Sequence, residues 1–182
     1  MTWRRSALIA LAVASLLAGG AAAARAQTPV PAPPAMTFSQ GLRAQGYNLS
    51  DAEVAFLDAD EQIQAVYVQA LIALDLLSQV DADRRNDDWR QAVVTELQRV
   101  LALDPAAAPA APENLQHFRE LAIAFRRDVN AAASKWLEAL QANDPEWLQR
   151  GLADYSSARR RLSDMQQELY TLYPPPQTSS QP

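Results

Sequence analysis

The chain is 182 residues long, carries a formal net charge of −5 at pH 7 and contains no cysteine. The absence of thiols excludes disulfides, thiolate zinc sites, iron–sulfur clusters, covalently attached haem and cysteine nucleophiles. The acidic balance argues against nucleic acid or an anionic membrane as a partner bound through net charge.

Residues 1–26 have the pattern of a signal peptide. Arg4 and Arg5 precede an apolar run over residues 6–18 that is too short for a stable membrane span, and Ala24, Arg25 and Ala26 form a small-x-small cleavage signal. We therefore expect export to the periplasm or beyond, by the general secretory route, because the residues after the arginine pair match the twin-arginine route poorly. The alternative is a signal that is retained as an N-terminal anchor.

Residues 27–46 are predicted to form a proline-rich linker, because residues 27–35 read QTPVPAPPA and show no apolar periodicity. A short helical turn that follows Thr37 and ends at Gly46 is expected within it. The folded domain is predicted to cover residues 47–173. Residues 174–182, which begin with three prolines, are predicted to be a disordered tail.

The first predicted helix covers residues 51–79. Ser50 followed by Glu53 is a capping box, in which the hydroxyl and the carboxylate each bind a free amide at the helix start. The apolar positions follow steps of three and four residues, which is the pattern of one buried helix face. We expect that face to consist of Phe56, Ala59, Ile63, Val66, Ala70, Ala73, Leu77 and Val80.

The second predicted helix begins at Asp87 or Asp88 and ends at Leu103, because Pro105 disfavours helical geometry in the residue before it. It is the shortest of four predicted helices, so the fold is expected to be least closed beside it. The connection that follows, residues 104–112, contains only Asp, Pro and Ala and is predicted to be a stiff surface segment.

The third predicted helix, residues 113–142, has a regular apolar face from end to end. The fourth begins at Pro145 and ends before Pro174, and its small Gly151 and Ala158 are expected to let a neighbouring helix approach closely. The predicted faces are Leu115, Phe118, Ala122, Phe125, Val129, Ala132, Trp136 and Ala139 in the third helix, and Leu148, Gly151, Tyr155, Ala158, Leu162, Met165, Leu169 and Leu172 in the fourth.

The predicted fold class is all-α, with the four helices in an antiparallel up-down-up-down bundle and seams of the coiled-coil kind. No window alternates polar with β-branched residues as a strand would, and the prolines between residues 47 and 173 all lie at proposed helix boundaries. The alternative architecture is an extended antiparallel hairpin that completes its core by dimerisation.

Trp89 and Trp147 each follow an Asn and acidic residues at the start of a predicted helix. Because the second and fourth helices of such a bundle run parallel, we expect both indoles at one end of the fold. Packing of the two rings is favoured over an exposed aromatic contact site, since aromatic side chains at helix starts usually complete the core.

Five arginines are predicted to gather near the middle of the third and fourth helices: Arg126, Arg127, Arg159, Arg160 and Arg161. The favoured interpretation is a set of salt bridges between the helices, with Asp128, Asp154 and Asp164 as partners. The alternative is an anion site for phosphate or carboxylate groups, because guanidinium groups bind such anions through paired hydrogen bonds.

No metal or cofactor is predicted. His117 is the only histidine and is expected to be a partly exposed structural residue, too far from Met165 for the two to ligate a haem together. The acidic turn of residues 81–88 lacks the glycine and the glutamate that a calcium loop needs, so it is interpreted as a solvated turn that caps the second helix.

A resemblance rests on four short segments: LDP at residues 103–105, LQH at 115–117, NDPEWL at 143–148 and ARRRL at 158–162. On these segments the chain resembles exported helical-bundle proteins of high-GC bacteria to which no function is assigned. The resemblance implies a helical bundle and export, and it carries over no functional residue.

The chain shows no glycine-rich phosphate loop, nucleophile elbow or paired-carboxylate motif, so catalysis is not expected. The first hypothesis is an exported, non-enzymatic bundle that binds a protein partner or associates with itself. The second is a bundle that binds an anion or small molecule through the five arginines. A secreted all-helical enzyme, such as a chorismate mutase that holds a dianionic substrate with arginines, is a distant third.

Overall fold

The computed structural model describes residues 36–80 and 85–174. Secondary structure in these two ranges is entirely helical, which confirms the all-α fold class for this part of the chain. The predicted signal peptide (1–26) lies outside the described residues, as do residues 27–35 of the predicted linker, residues 81–84 of the acidic turn and residues 175–182 of the predicted tail.

The described residues form five α-helices and one 3₁₀ turn that leads directly into the fourth helix. None of these helices is both long and apolar enough to cross a bilayer. Their bounds are α1 (Phe38–Ala44), α2 (Asp51–Ser78), α3 (Asp87–Leu101), the 3₁₀ turn (Glu113–Leu115), α4 (Gln116–Gln141) and α5 (Trp147–Leu172).

Local sequence signals account for several helix ends. The Glu53 amide donates to Ser50 Oγ at 3.2 Å and the Ser50 amide donates to Glu53 Oε2 at 2.7 Å, so the predicted capping box at the start of α2 is confirmed. α4 ends where Asn143 adopts a left-handed φ of 55° and the Asp144 amide donates back to the Ala139 carbonyl at 2.9 Å.

α1 lies within the stretch that the sequence assigns to the linker. Its Phe38 amide donates to Glu61 Oε2 of α2 at 2.8 Å, and its Leu42 side chain is buried. Gly46 follows the helix with a φ of 94°, a conformation that favours glycine. The expected short helix before Gly46 is therefore present, and it packs against α2 as part of the folded core.

α4 makes the most extensive contacts of the five described helices. It contacts α5 most extensively and also contacts α3 and α2. The eight residues predicted for its apolar face are all buried. Because burial of apolar surface contributes about 25 cal/mol per Å², a stripe that continues along the whole helix makes α4 the natural centre of the fold.

α5 runs in the opposite direction to α4. Lys135 Nζ lies 2.6 Å from Asp154 Oδ2, and His117 Nδ1 near the start of α4 lies 3.2 Å from Glu168 Oε1 near the end of α5. The predicted face of α5 is buried or packed against the core at every one of its positions.

Gly151 allows α5 to approach α4 closely. A Cβ atom at this position would lie 2.6 Å from Trp136 Nε1 and 2.8 Å from the Ala132 carbonyl oxygen. The Trp136 indole donates a hydrogen bond to the Leu148 carbonyl at 2.9 Å, which holds the ring beside the glycine. The predicted close approach at Gly151 is confirmed.

The buried face of α2 is rotated from the predicted one, although Ile63 and Leu77 of the predicted face still pack against the core. Of the eight expected residues, only Phe56 and Ala70 are fully buried, and the others are partly exposed. The face is rotated because the larger Leu57, Tyr67 and Leu74 bury more apolar surface than the alanines and valines beside them. The residues buried in α2 are Phe56, Leu57, Asp60, Tyr67, Ala70 and Leu74.

Trp89 and Trp147 meet at one end of the fold, as predicted. Their ring centroids are 5.8 Å apart with an interplanar angle of 66°, an edge-on packing that aromatic pairs favour. Trp89 Nε1 donates to the Leu77 carbonyl at 2.8 Å, and the Arg85 guanidinium lies over the Trp89 ring at 5.2 Å. Trp147 is buried, so the pair completes the core at what we call the tryptophan end.

Candidate functional site

The five predicted arginines occupy two different environments. Arg126 is fully buried in the core, whereas Arg127, Arg159, Arg160 and Arg161 are exposed. The favoured interpretation was a set of salt bridges between the helices. One of the exposed arginines forms such a contact, because Arg161 Nε of α5 lies 3.9 Å from Asp128 Oδ2 of α4.

Arg126 of α4 forms a buried ion pair with Asp60 of α2. Its Nη2 donates to Asp60 Oδ1, and the two side chains are 0% and 3% exposed. Burial raises the pKa of Asp60, because a carboxylate is poorly solvated in the interior, and the positive charge of Arg126 opposes that rise. Each charge is stable in the core because the other is present.

The interior around this ion pair is unusually polar. Burial raises the pKa of the Tyr67 hydroxyl, the Arg126 charge opposes the rise and the Asp104 charge adds to it. Within the described residues, Arg126 Nε, Tyr67 Oη and Asn130 Oδ1 are buried without a hydrogen-bond partner. Such atoms are rare in cores, since an unpaired buried polar group is destabilising.

A segment that we call the strap, residues 103–111, covers this polar region from outside. α3 ends at Leu101 and therefore lies beside only part of α4, and the next helical turn begins at Glu113. Between them the strap runs along α4 in the opposite direction. The connection that the sequence predicts as a stiff surface segment is thus a cover for the first half of α4.

Four polar side chains of α4, which we call the donor row, bind main-chain carbonyls of the strap. They are spaced along one face of the helix. Because the strap runs antiparallel to α4, successive carbonyls along the strap are bound by side chains successively nearer the start of α4. The hydrogen bonds are Asn130 Nδ2 to Leu103 at 3.3 Å, Arg126 Nη1 to Ala107 at 3.2 Å, Arg119 Nε to Pro109 at 3.1 Å and Gln116 Nε2 to Ala111 at 2.5 Å.

The exposed arginines of α5 border an open surface depression. Arg160 Nη2 donates to Ser157 Oγ at 3.0 Å, and Arg161 Nε lies 3.9 Å from Asp128 Oδ2. Two guanidiniums and two hydroxyls can donate hydrogen bonds to an anion here, while a carboxylate at the edge opposes it. The depression is lined by Ser157, Arg160, Arg161, Ser163 and Asp164.

Glu53 connects three elements at the end opposite the tryptophans. Its Oε1 accepts hydrogen bonds from Asn114 Nδ2 at 2.7 Å and from the Tyr173 hydroxyl at 3.0 Å. Bonds from the amide and hydroxyl of Ser50 stabilise the carboxylate further and lower the pKa of Glu53 to about 2. Tyr47 packs edge-on against Tyr173 with centroids 5.6 Å apart, which closes this end.

His117 is about two-thirds exposed and pairs with Glu168. Both observations agree with the prediction of a partly exposed structural residue. Met165 is buried in the core, where its sulfur accepts a hydrogen bond from Gln64 at 3.5 Å. Across residues 36–80 and 85–174, no three His, Asp or Glu side chains are placed to hold a metal together. In the described part of the acidic turn, Asn86 Oδ1 accepts from the Trp89 amide at 2.9 Å and so caps α3.

Two large apolar side chains are exposed toward the tryptophan end. Leu76 of α2 is 63% exposed and Leu152 of α5 is 45% exposed. Leu76 precedes Leu77, which accepts the indole bond of Trp89, and Leu152 follows Gly151 in the first turns of α5. Both exposed leucines therefore lie near the tryptophan end of their helices.

Sequence reasoning missed the buried role of Asp60 and the donor row. One signal was available for Asp60, because it stands four residues after Phe56 and seven before Tyr67, a spacing that places all three on one helix face. For Gln116, Arg119 and Asn130 no comparable signal exists, since polar side chains on a helix normally face solvent.

The fold and these sites define an all-helical protein with an ion-paired core, a strap bound along its central helix and two exposed candidate surfaces. Comparison of the chain with family models, curated proteins and solved structures finds no match.

Proposed function

We propose that the chain is an exported, non-enzymatic helical bundle that acts by protein contact, through association with itself or with another exported protein. The observation that carries this proposal is the exposure of Leu76 and Leu152, which lie near the ends of α2 and α5 where the paired tryptophans are found. Burial of exposed leucines against a partner removes apolar area from water, which favours protein contact.

Residue pairs support an up-down-up-down arrangement of α2 to α5. α2 and α5 pair in opposite directions, since Glu53 binds Tyr173 and Gln64 binds Met165. α2 and α4 pair in the same direction through two aromatic contacts, Phe56 with Phe118 and Tyr67 with Phe125. Alternation of direction between consecutive helices is what short connections produce in an antiparallel four-helix bundle.

The signal pattern of residues 1–26 supports export from the cytoplasm. Fractionation of cells that express the full chain, followed by mass spectrometry of the product, tests it. We expect the protein outside the cytoplasm with Gln27 as its first residue. A cytoplasmic chain that keeps residues 1–26 would contradict the proposal.

Sedimentation velocity of residues 27–182 tests protein contact at the tryptophan end. We compare the unaltered chain with Leu76→Glu combined with Leu152→Glu. The matched control is Ala52→Glu combined with Thr171→Glu, which adds the same charges at exposed positions of α2 and α5 near the opposite end. If the chain self-associates, the leucine variant dissociates and the control does not.

If the unaltered chain is a monomer, cross-linking in the native host is the next measurement. A partner protein should be captured by the unaltered and control chains and lost from the leucine variant. Equal behaviour of all three chains in both measurements would exclude a contact surface at this end.

Anion binding is the second candidate, favoured by the open depression beside Arg160 and Arg161 and by the exposure of Arg127 and Arg159. Sodium phosphate should raise the melting temperature above that in sodium chloride of equal ionic strength. Arg127→Ala combined with Arg160→Ala should abolish the shift, whereas Arg43→Ala combined with Arg99→Ala should retain it. No phosphate-dependent shift in the unaltered chain would dismiss the site.

A further inference from the structure

We propose that the polar region between α2 and α4 is a binding site for one internal water molecule, held by Arg126 Nε, Tyr67 Oη and Asn130 Oδ1. The site lies in the interior beneath the strap, away from the exposed leucines of the tryptophan end and from the arginine depression of α5. It can therefore succeed or fail independently of the proposed protein contact and of anion binding.

Three buried polar atoms of α2 and α4 carry this proposal. Within residues 36–80 and 85–174, Arg126 Nε, Tyr67 Oη and Asn130 Oδ1 have no hydrogen-bond partner, although solvent does not reach them. Arg126 and Tyr67 are each 0% exposed as whole residues. Buried polar atoms of folded proteins are nearly always paired, either with a protein group or with an ordered water.

The contacts of the three side chains bring them to the same region. Arg126 and Asn130 are four residues apart on α4, a spacing that places their Cβ atoms about 5–6 Å apart on one face. Both donate to strap carbonyls, at 3.2 Å and 3.3 Å, so both lie on the side of α4 that the strap covers. Tyr67 approaches from α2, where its ring packs against Phe125 with centroids 6.3 Å apart.

The Tyr67 hydroxyl responds to both side chains of α4. Burial raises its pKa, whereas the Arg126 charge and the Asn130 side chain lower it. In the described part of the chain, however, no direct hydrogen bond joins the hydroxyl to either side chain. A molecule that bridges the three groups accounts for both observations.

The chemistry of the three atoms selects a small neutral ligand. Arg126 Nε can only donate a hydrogen bond, the Tyr67 hydroxyl can donate or accept, and Asn130 Oδ1 can only accept. The bond from Asn130 Nδ2 to the Leu103 carbonyl orients the amide so that Oδ1 is the atom left over. One water molecule satisfies all three, since it both accepts and donates. Asp60 already balances the Arg126 charge, so no net charge attracts an ion.

The strap encloses this site. It forms a turn in which the Ala107 amide donates to the Asp104 carbonyl at 3.1 Å, and Leu103 at its start packs against the core. Bulk solvent is thereby kept from the polar atoms beneath it. An enclosed water can then keep its hydrogen bonds to α2 and α4 and join the two helices.

A high-resolution crystal structure of the full chain tests the site directly. We expect one ordered water about 2.7–3.2 Å from each of Arg126 Nε, Tyr67 Oη and Asn130 Oδ1. A direct hydrogen bond from Tyr67 to Asn130, or the lack of an ordered water within reach of all three atoms, would overturn the proposal.

Thermal unfolding of Tyr67→Phe tests the site in solution. A buried hydroxyl that is bonded through water stabilises the fold, whereas an unpaired one destabilises it. The melting temperature should therefore fall by about 4 °C in Tyr67→Phe. Tyr170→Phe, at a position that is 37% exposed on α5, is the matched control and should leave it unchanged. An unchanged or higher melting temperature for Tyr67→Phe would refute the bridging water.

Discussion

The Arg126 guanidinium and the Asp60 carboxylate, 66 positions apart in the chain, pair with each other in the core beneath the strap. The pair joins α4 to α2, and the same guanidinium binds the Ala107 carbonyl at 3.2 Å. One side chain thus links two helices and the connection that covers them. Its loss removes both contacts at once, which makes Arg126 the most informative position for mutation.

Arg126→Ala should lower the free energy of unfolding by about 3–5 kcal/mol, because it leaves the buried Asp60 carboxylate without a counter-charge. Asp60→Leu combined with Arg126→Met should lose less than Arg126→Ala alone, since no unpaired charge remains in the core. Urea denaturation of the three proteins measures both effects. Arg127→Ala, at the next and exposed position, should stay within about 0.5 kcal/mol of the unaltered protein.

Gly151→Ala should destabilise the protein by about 1–3 kcal/mol, because the added methyl group collides with the Trp136 ring and the Ala132 carbonyl and forces α5 away from α4. Gly41→Ala is the matched control. It lies in α1 with nothing within 4 Å of the added methyl group, so it should be neutral or stabilising by up to about 1 kcal/mol. Equal losses at both positions in thermal unfolding would contradict the close approach.

Glu53 should make stability depend on pH below about 4.5. Its folded pKa of about 2 lies below the ordinary value of 4.5, so the folded state holds the carboxylate while the unfolded state takes up a proton. Its contribution is complete above pH 4.5 and declines as the pH falls toward about 2. The melting temperature should therefore fall less steeply over this range in Glu53→Gln than in the unaltered chain, while Glu120→Gln, exposed on α4, should follow the unaltered chain.

Trp89→Phe should cost about 0.5–1.5 kcal/mol, because the phenyl ring keeps the contact with Trp147 but cannot donate to the Leu77 carbonyl. Trp147→Ala should cost about 3–5 kcal/mol, because it removes a buried ring. Chemical denaturation monitored by circular dichroism compares the two. A greater loss for Trp89→Phe than for Trp147→Ala would contradict the role of the pair as core packing.

Several features of the fold follow from short stretches of sequence. Short segments of sequence predict the capping box of Ser50 and Glu53, the end of α4 near Asn143 and the apolar stripe of α4. The structure has all three features. The meeting of Trp89 and Trp147 was also predictable, because it needs only helix directions and the positions of two helix starts.

The rotated face of α2, the burial of Arg126 and the course of the strap required the tertiary structure. Asp60 can replace an apolar residue in the core only because a guanidinium from a distant helix neutralises it, and no local pattern records that partner. Likewise, the polar residues of the donor row have the sequence pattern of an ordinary solvated helix face. Only the structure shows that α3 is too short to cover this face. Helix positions are decided by interactions between near neighbours in the chain, whereas the burial of a charge is decided by whichever residue meets it in space.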